Sequence, residues 1–458
     1  LFRRKDMSDT IAAIATGAQV SAIGIIRLSG SRCFDIIDKL FFPLSGRKMS
    51  ESENRRLIYG QLRDRAGELL DVCLCTISRA PNSYTGEHTA ELQCHGSPTV
   101  LRAALDEIFA LGARQAEAGE FTKRAFLNGR MELCAAEAVV DIIDAESIEC
   151  AKNAAGQLSG AISRRVDGIY SALTDISSHY HAVLDYPDED IEDFRLESYS
   201  ESLRAALAEL NKLLHSFERG KLMTNGIPAA IVGRPNAGKS SLLNALLGYD
   251  RAIVTTVPGT TRDTIEEKLR LGRLTLRLID TAGIRETEDV VERLGVERSR
   301  AAMDSAELVI AVVDGSGGIS EADREVIAQA ERAPRAVVVV SKKDISEGSA
   351  EIDTRLQKIA LSSLTGEGID ELERCIEKMF PLPEVPAGEI LTNARQADAV
   401  RRAAEYMQSA LEAMSGGATP DIVLTETEGA MSALGELSGR TVREDVTNRI
   451  FSRFCVGK

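Results

Sequence analysis

The chain has 458 residues, enough for about three domains, and 44% of them are hydrophobic, so a well-buried core is expected. Its formal net charge of -15 argues against bulk nucleic-acid binding and leaves any RNA contact to a local patch or a partner. No stretch reads as a membrane span, and the expected location is cytoplasmic.

The first apolar run, Ile11 to Ile26, follows Arg3, Arg4 and Lys5 but is interrupted by Thr16, Gln19 and Ser21. Its alternation fits strands better than a signal segment. Residues 8–120 read as mixed α/β, with strand-like runs Ile23 to Leu28 and Val72 to Ile77 and a helix from Pro98 to Leu111. Residues 121–220 are almost wholly helical in pattern, as in Cys134 to Ile143 and Ser200 to Phe217. Alternating β and α patterns then fill residues 221–380. After the break Pro381-Leu382-Pro383-Glu384-Val385-Pro386 the pattern is helical again, Ala394 to Met414 and Glu426 to Phe451. The third segment is thus inserted into a helical domain formed by 121–220 and 381–458, whose two parts pack together because neither alone offers a complete core.

Eight cysteines, at 33, 73, 75, 94, 134, 150, 375 and 455, lack the paired spacing of a zinc site and read as buried cytosolic thiols. Cys455, near the terminus, is either a reactive thiol or a small hydrophobe that docks the tail.

Within 221–380, Gly233-Arg234-Pro235-Asn236-Ala237-Gly238-Lys239-Ser240 lies between the apolar run Pro228 to Val232 and the helix-like run Leu242 to Leu247. In that context the glycines let backbone N–H groups wrap phosphates, Lys239 reaches the β and γ oxygens, and Ser240 ligates Mg²⁺. Asp280-Thr281-Ala282-Gly283 ends the apolar run Leu274 to Ile279, with Asp280 for the Mg²⁺ shell and the Gly283 N–H for the γ-phosphate. Gly259-Thr260-Thr261 supplies the switch threonine, Thr261 being assigned to Mg²⁺. Ser341-Lys342-Lys343-Asp344 follows the run Ala336 to Val340, and the Asp344 carboxylate can accept from guanine N1–H and N2–H together. Ser362-Ser363-Leu364 is expected to close the base pocket through backbone N–H groups. The usual motif has Asn where Ser341 stands, which weakens one side-chain contact in that pocket.

Together these segments predict a Ras-like phosphate-loop GTPase domain, mainly parallel sheet with helices on both faces. Ile284 follows Gly283 where Ras-like switches carry a water-orienting Gln, so hydrolysis needs another arrangement. Asn236 could help hold a monovalent cation, and Glu292 either orients water or is one solvated carboxylate of an acidic run.

The chain resembles the bacterial MnmE (TrmE) family of tRNA modification GTPases over essentially its whole length. The resemblance rests on Pro81 to Glu87, His95-Gly96, Gly119 to Gly129, Asp185 to Ile191 and the terminal Phe454-Cys455-Val456-Gly457-Lys458. It implies an N-terminal α/β domain similar to folate-binding aminomethyltransferases, constitutive homodimerisation, and a heterotetrameric complex with the flavin protein MnmG (GidA), FAD entering only through that partner. The implied reaction modifies C5 of the tRNA wobble uridine with a methylenetetrahydrofolate one-carbon donor. The folate site, which 5-formyltetrahydrofolate would also occupy, carries over to Arg27, Glu91, Arg130 and Lys458.

The nucleotide site extends over Asn236 to Ser241 and over Thr255-Thr256-Val257-Pro258-Gly259-Thr260-Thr261. K⁺ is expected on Asn236, Thr255, Val257 and Thr260. Glu292 falls at the family's hydrolytic glutamate and Cys455 at its tail cysteine. This sequence departs from the pattern at Ser341, at Arg130 where Lys is common, and at Gln19-Val20-Ser21 in place of a glycine-rich loop. The rival readings are a GTP-dependent ribosome-assembly switch, which usually carries a basic RNA-binding appendage, and a phosphate-loop kinase or ATPase, against which Asp344 argues.

Overall fold

A computed structural model describes residues 9–17, 19–185, 196–248, 267–279, 301–346, 352–381, 386–442, 444–452 and 454–457. The chain forms two compact units, one from Leu1–Val140, Gln157–Leu207 and Arg402–Lys458, the other from Asp141–Gly156 and Ala208–Arg401.

In the first unit seven strands, β1 (Ile11–Ile14), β2 (Ser21–Ser29), β3 (Phe41–Pro43), β4 (Ile58–Arg63), β5 (Leu69–Ser78), β6 (Thr89–Gly96) and β7 (Arg114–Gln115), form one sheet in the order β3-β4-β5-β6-β2-β1-β7. The run that superficially resembled a signal segment is the β1–β2 hairpin, with Ile11 opposite Ser29 and Ile14 opposite Ile26. Period-two alternation turns Cys73, Cys75 and Ile77 inward on β5 and Ala90, Leu92 and Cys94 inward on β6. Helices Cys33–Leu40 and Pro98–Ala110 cover that face with Ile36, Ile37, Leu40, Leu101 and Ile108.

Helices from before and after residues 221–380 pack together within the first unit. Ala161–Asp185 packs on Pro420–Ser438, and the Arg402 guanidinium is bidentate to Glu436 at 3.0 and 2.8 Å. The helical run expected from Glu426 to Phe451 is instead two helices, Pro420–Ser438 and Glu444–Phe451. Gly439 explains the break: its φ of +90° is costly for a residue with a Cβ, and both its N–H and that of Arg440 donate back to the Gly435 carbonyl, at 3.1 and 2.9 Å.

In the second unit six strands, β8 (Ile227–Val232), β9 (Glu267–Leu271), β10 (Leu274–Leu278), β11 (Leu308–Asp314), β12 (Ala336–Ser341) and β13 (Gln357–Ala360), run in the order β13-β12-β11-β8-β10-β9. Only β9 is antiparallel to its neighbour. β11 is buried throughout, because a parallel strand is covered on both faces. Ile310 and Val312 face Leu242, Leu246, Leu372 and Ile376, while Val309, Ala311 and Val313 face Ile327 and Ala330. This doubly wound arrangement leaves the carboxyl ends of β8, β11 and β12 to carry a ligand.

Candidate functional site

The phosphate loop leaves β8 at Gly233 and enters helix Lys239–Gly248. Asn236 adopts φ +62° and Gly238 φ +98°, the left-handed conformations that turn successive backbone N–H groups into the concavity. A Cβ on Gly238 would lie 3.2 Å from the Ser341 hydroxyl, so this glycine also permits close packing on β12. The Lys239 ammonium folds back over the loop and donates to the carbonyls of Gly233 and Arg234 at 2.8 and 2.9 Å. Burial pushes its pKa down, an environment that an anionic phosphate would relieve. Ala237 is fully buried, whereas Asn236, Ser240 and Ser241 are exposed along the mouth.

Supports behind the loop were not anticipated from the motif. Arg234 pairs with Asp323 at 3.2 Å, and Asp323 closes a capping box with Ser320 on helix Glu321–Ala330. The Ser-x-x-Asp spacing was legible; its ion pair to the phosphate loop was not. Lys342 donates to Asp314 at 2.7 Å. Burial raises the Asp314 pKa, but hydrogen bonds from Lys342 and Ser316 outweigh it and hold the carboxyl at about 2.

At the end of β12, Asp344 lies exposed on the short turn Lys343–Ile345. Its Oδ1 accepts from the Ser362 hydroxyl at 2.6 Å, which fixes the carboxylate plane. The Ser362 backbone N–H, expected to help close the base pocket, donates instead to the Glu367 carbonyl at 2.9 Å, so Ser362 acts through its side chain. Leu364 stands 86% exposed beyond it, and the Lys343 ammonium pairs with Glu367 at 2.7 Å. Ser341 is buried, and its hydroxyl faces the carbonyls of Ala237 at 2.6 Å and Val313 at 3.0 Å. Thr255, Thr256, Val257, Pro258, Gly259, Thr260, Thr261, Asp280, Thr281, Ala282, Gly283 and Glu292 lie outside the described residues, as does Lys458.

In the first unit the C-terminal tail returns to the N-terminal sheet. Val456 bridges Ala118, the Gly119 N–H donates to the Cys455 carbonyl at 3.3 Å, and Arg27 donates to the Gly457 carbonyl at 3.4 Å. Arg27 also pairs with Glu91 at 2.8 Å and lies 5.5 and 5.7 Å from the rings of Tyr84 and Phe121. A charged pair, two aromatic rings and the tail backbone therefore converge, although these residues span most of the chain. Tyr84, whose hydroxyl bonds Thr122 at 2.9 Å, belongs to this group and escaped the residue-level reading. Cys455 is exposed, unlike most of the other seven cysteines, which are buried, while Arg130 is exposed on the loop after helix Glu120–Leu127. No described helix is long and apolar enough to cross a membrane.

A glycine-rich loop between strand and helix, a lysine poised over it and a carboxylate-bearing turn at the next strand end but one define a phosphate-loop GTPase. Residues 10–130 match the family described as GTP-binding protein TrmE N-terminus, and residues 133–455 match that described as MnmE helical domain. The tRNA modification GTPase MnmE of Moorella thermoacetica is 42% identical over 99% of this chain and 100% of its own length. That of Clostridioides difficile is 39% identical over 99% of this chain and 100% of its own. Among solved structures, the G domain of the T. maritima FeoB iron transporter is 26% identical over 33% of this chain and 97% of that one, with a TM-score of 0.25. The chain belongs to the MnmE family of tRNA modification GTPases.

Proposed function

We propose that the protein hydrolyses GTP in a K⁺-dependent reaction and, with MnmG supplying FAD, uses that cycle to build an aminomethyl or carboxymethylaminomethyl group on C5 of the wobble uridine of certain tRNAs. The carrying observation is that Lys239, the left-handed loop residues and the Ser362-oriented Asp344 lie at the carboxyl ends of β8 and β12, the two strands that flank β11, and are linked by Ser341. Lys239 would leave the loop carbonyls for the β- and γ-phosphate oxygens, and Asp344 would accept the two N–H groups of guanine.

Ser240 and Asn236 are exposed residues whose side chains carry oxygen donors suited to hard cations. Ser240 with Thr261 would hold Mg²⁺, and Asn236 with Thr255, Val257 and Thr260 would hold K⁺. Bound there, the two cations would offset negative charge on the phosphates. Glu292 would orient the attacking water. In the first unit, Arg27, Glu91, Arg130 and Lys458 would bind a tetrahydrofolate, a reading supported by the convergence of charge and aromatic rings around Arg27. Cys455 lies on the docked tail beside this group and would serve the modification step. The active form would be a cytoplasmic homodimer joined to MnmG in a heterotetramer.

The test is GTP hydrolysis by the purified protein in K⁺ against Na⁺ at matched ionic strength, followed by nucleoside analysis of tRNA incubated with MnmG and the folate donor. Selective K⁺ stimulation together with a new wobble-uridine product is the expected result. Equal rates in the two salts would refute the cation site, and tRNA left unchanged while GTP turns over would refute the modification reading in favour of a ribosome-assembly switch.

A further inference from the structure

The structure assigns Ser341 to the phosphate loop and not to the base, and we infer that, among the described residues, this position leaves the imidazole edge of guanine, its N7, unread. This rests on the guanine-nucleotide reading above and goes beyond it. A hydroxyl carries a single donor hydrogen. In Ser341 that hydrogen is committed within the protein, because Oγ lies 2.6 Å from the Ala237 carbonyl and 3.0 Å from that of Val313. The side chain is also buried, with 2% of its surface exposed, beneath the loop where a Cβ on Gly238 would already press on it at 3.2 Å. A group so enclosed cannot reach a ligand that docks on exposed Asp344.

The longer asparagine usual at this position has a carboxamide with two donor hydrogens, enough to hold the loop and meet the purine together. With serine, one of those two tasks is dropped, and the hydrogen-bond distances identify which. Ser341 is therefore a positioning residue for the phosphate loop. Guanine is recognised on its Watson–Crick edge by Asp344, whose orientation comes from the Ser362 hydroxyl at 2.6 Å. Hydrogen bonds to charged groups are stronger than neutral ones, so the carboxylate sustains base selectivity by itself.

The experiment measures affinities of the full-length, unmodified protein for GDP, 7-deaza-GDP, inosine diphosphate and ADP. The expected result is 7-deaza-GDP within about twofold of GDP, and inosine diphosphate, which lacks the 2-amino donor, weaker by about tenfold or more. Ser341→Ala is expected to weaken GDP and 7-deaza-GDP by the same factor, about three- to tenfold, and Ser341→Thr, which keeps the hydroxyl, to restore both. A preference of fivefold or more for GDP over 7-deaza-GDP would overturn the inference, and that comparison needs no variant to fold. Failure to bind any guanine nucleotide, or equal binding of ADP, would instead refute the nucleotide reading beneath it.

Discussion

Replacing Glu120 by Gln tests the electrostatic joint that fixes the N-terminal sheet to the helix after it. The Arg124 guanidinium is buried, 2% exposed, and meets Glu120 at 2.9 Å, Asp9 at 2.8 Å and Glu87 at 3.0 Å. Arg114 also donates to Glu120, so one carboxylate serves two guanidinium groups and the Glu117 N–H. Burial raises the Glu120 pKa, but the bonds from Arg114, Glu117 and Arg124 outweigh it and bring it from 4.5 to about 2. At about 1.4 kcal/mol per pH unit that difference corresponds to about 3 kcal/mol, and the side chain is only 10% exposed, so solvent screening removes little of it.

Because the folded pKa is depressed, this stabilisation is fully present above the unfolded value near 4.5 and is lost as pH falls toward 2. Glu120→Gln should therefore destabilise the unit by about 2–3 kcal/mol at pH 7, the remaining carboxylates keeping Arg124 paired, and the difference from the unsubstituted protein should vanish near pH 2. The chain has no tryptophan, so the readout is hydrogen exchange by mass spectrometry in peptides covering 9–16 and 114–127, compared across pH. A difference that stays constant from pH 7 to pH 3, or no difference at pH 7, would refute the reasoning.

Gly439→Ala should cost about 2–4 kcal/mol, since φ is +90° and the new Cβ would lie 2.6 Å from the Phe126 ring; thermal melting and exchange around 433–455 would register it. Asp344→Asn should exchange guanine for xanthine preference, because the amide donates where the carboxylate accepted, and XTP hydrolysis exceeding GTP hydrolysis is the readout. Asn236→Ala should remove the difference in GTP turnover between K⁺ and Na⁺ while leaving GDP affinity within about threefold, as judged by titration, because a neutral side chain at the mouth contributes about one hydrogen bond. Asp323→Ala should weaken GDP by about three- to tenfold and lower stability by about 1–2 kcal/mol, through loss of the Asp323 side-chain half of the capping box and of its ion pair with Arg234.

Much of the architecture was legible because local rules and burial agree. The apolar run Ala336 to Val340 of β12 is what a strand covered on both faces requires, and alternation along Val72 to Ile77 of β5 marks one covered face. The phosphate loop was readable for a similar reason: Gly238 and Asn236 are residue types that accept the left-handed backbone a phosphate cradle imposes. The end of helix Pro420–Ser438 was missed, since the surrounding apolar periodicity continues past the glycine and φ is not visible in a pattern.

Sequence by itself determined which short segments carry chemistry, since a loop, a turn or a cap depends on residues within a few positions of one another. Tertiary structure alone decided the partnerships among them. Ser341 serves Ala237, 104 positions away; Ser362 orients Asp344 through its hydroxyl; Arg27 meets the Gly457 carbonyl across 430 positions. Such pairings follow from strand order and from how the tail closes on β1 and the 114–119 segment, where the entropy of long loops is offset by packing of the whole unit. A motif therefore names the donors and acceptors present, and the fold selects which of them remain for a ligand.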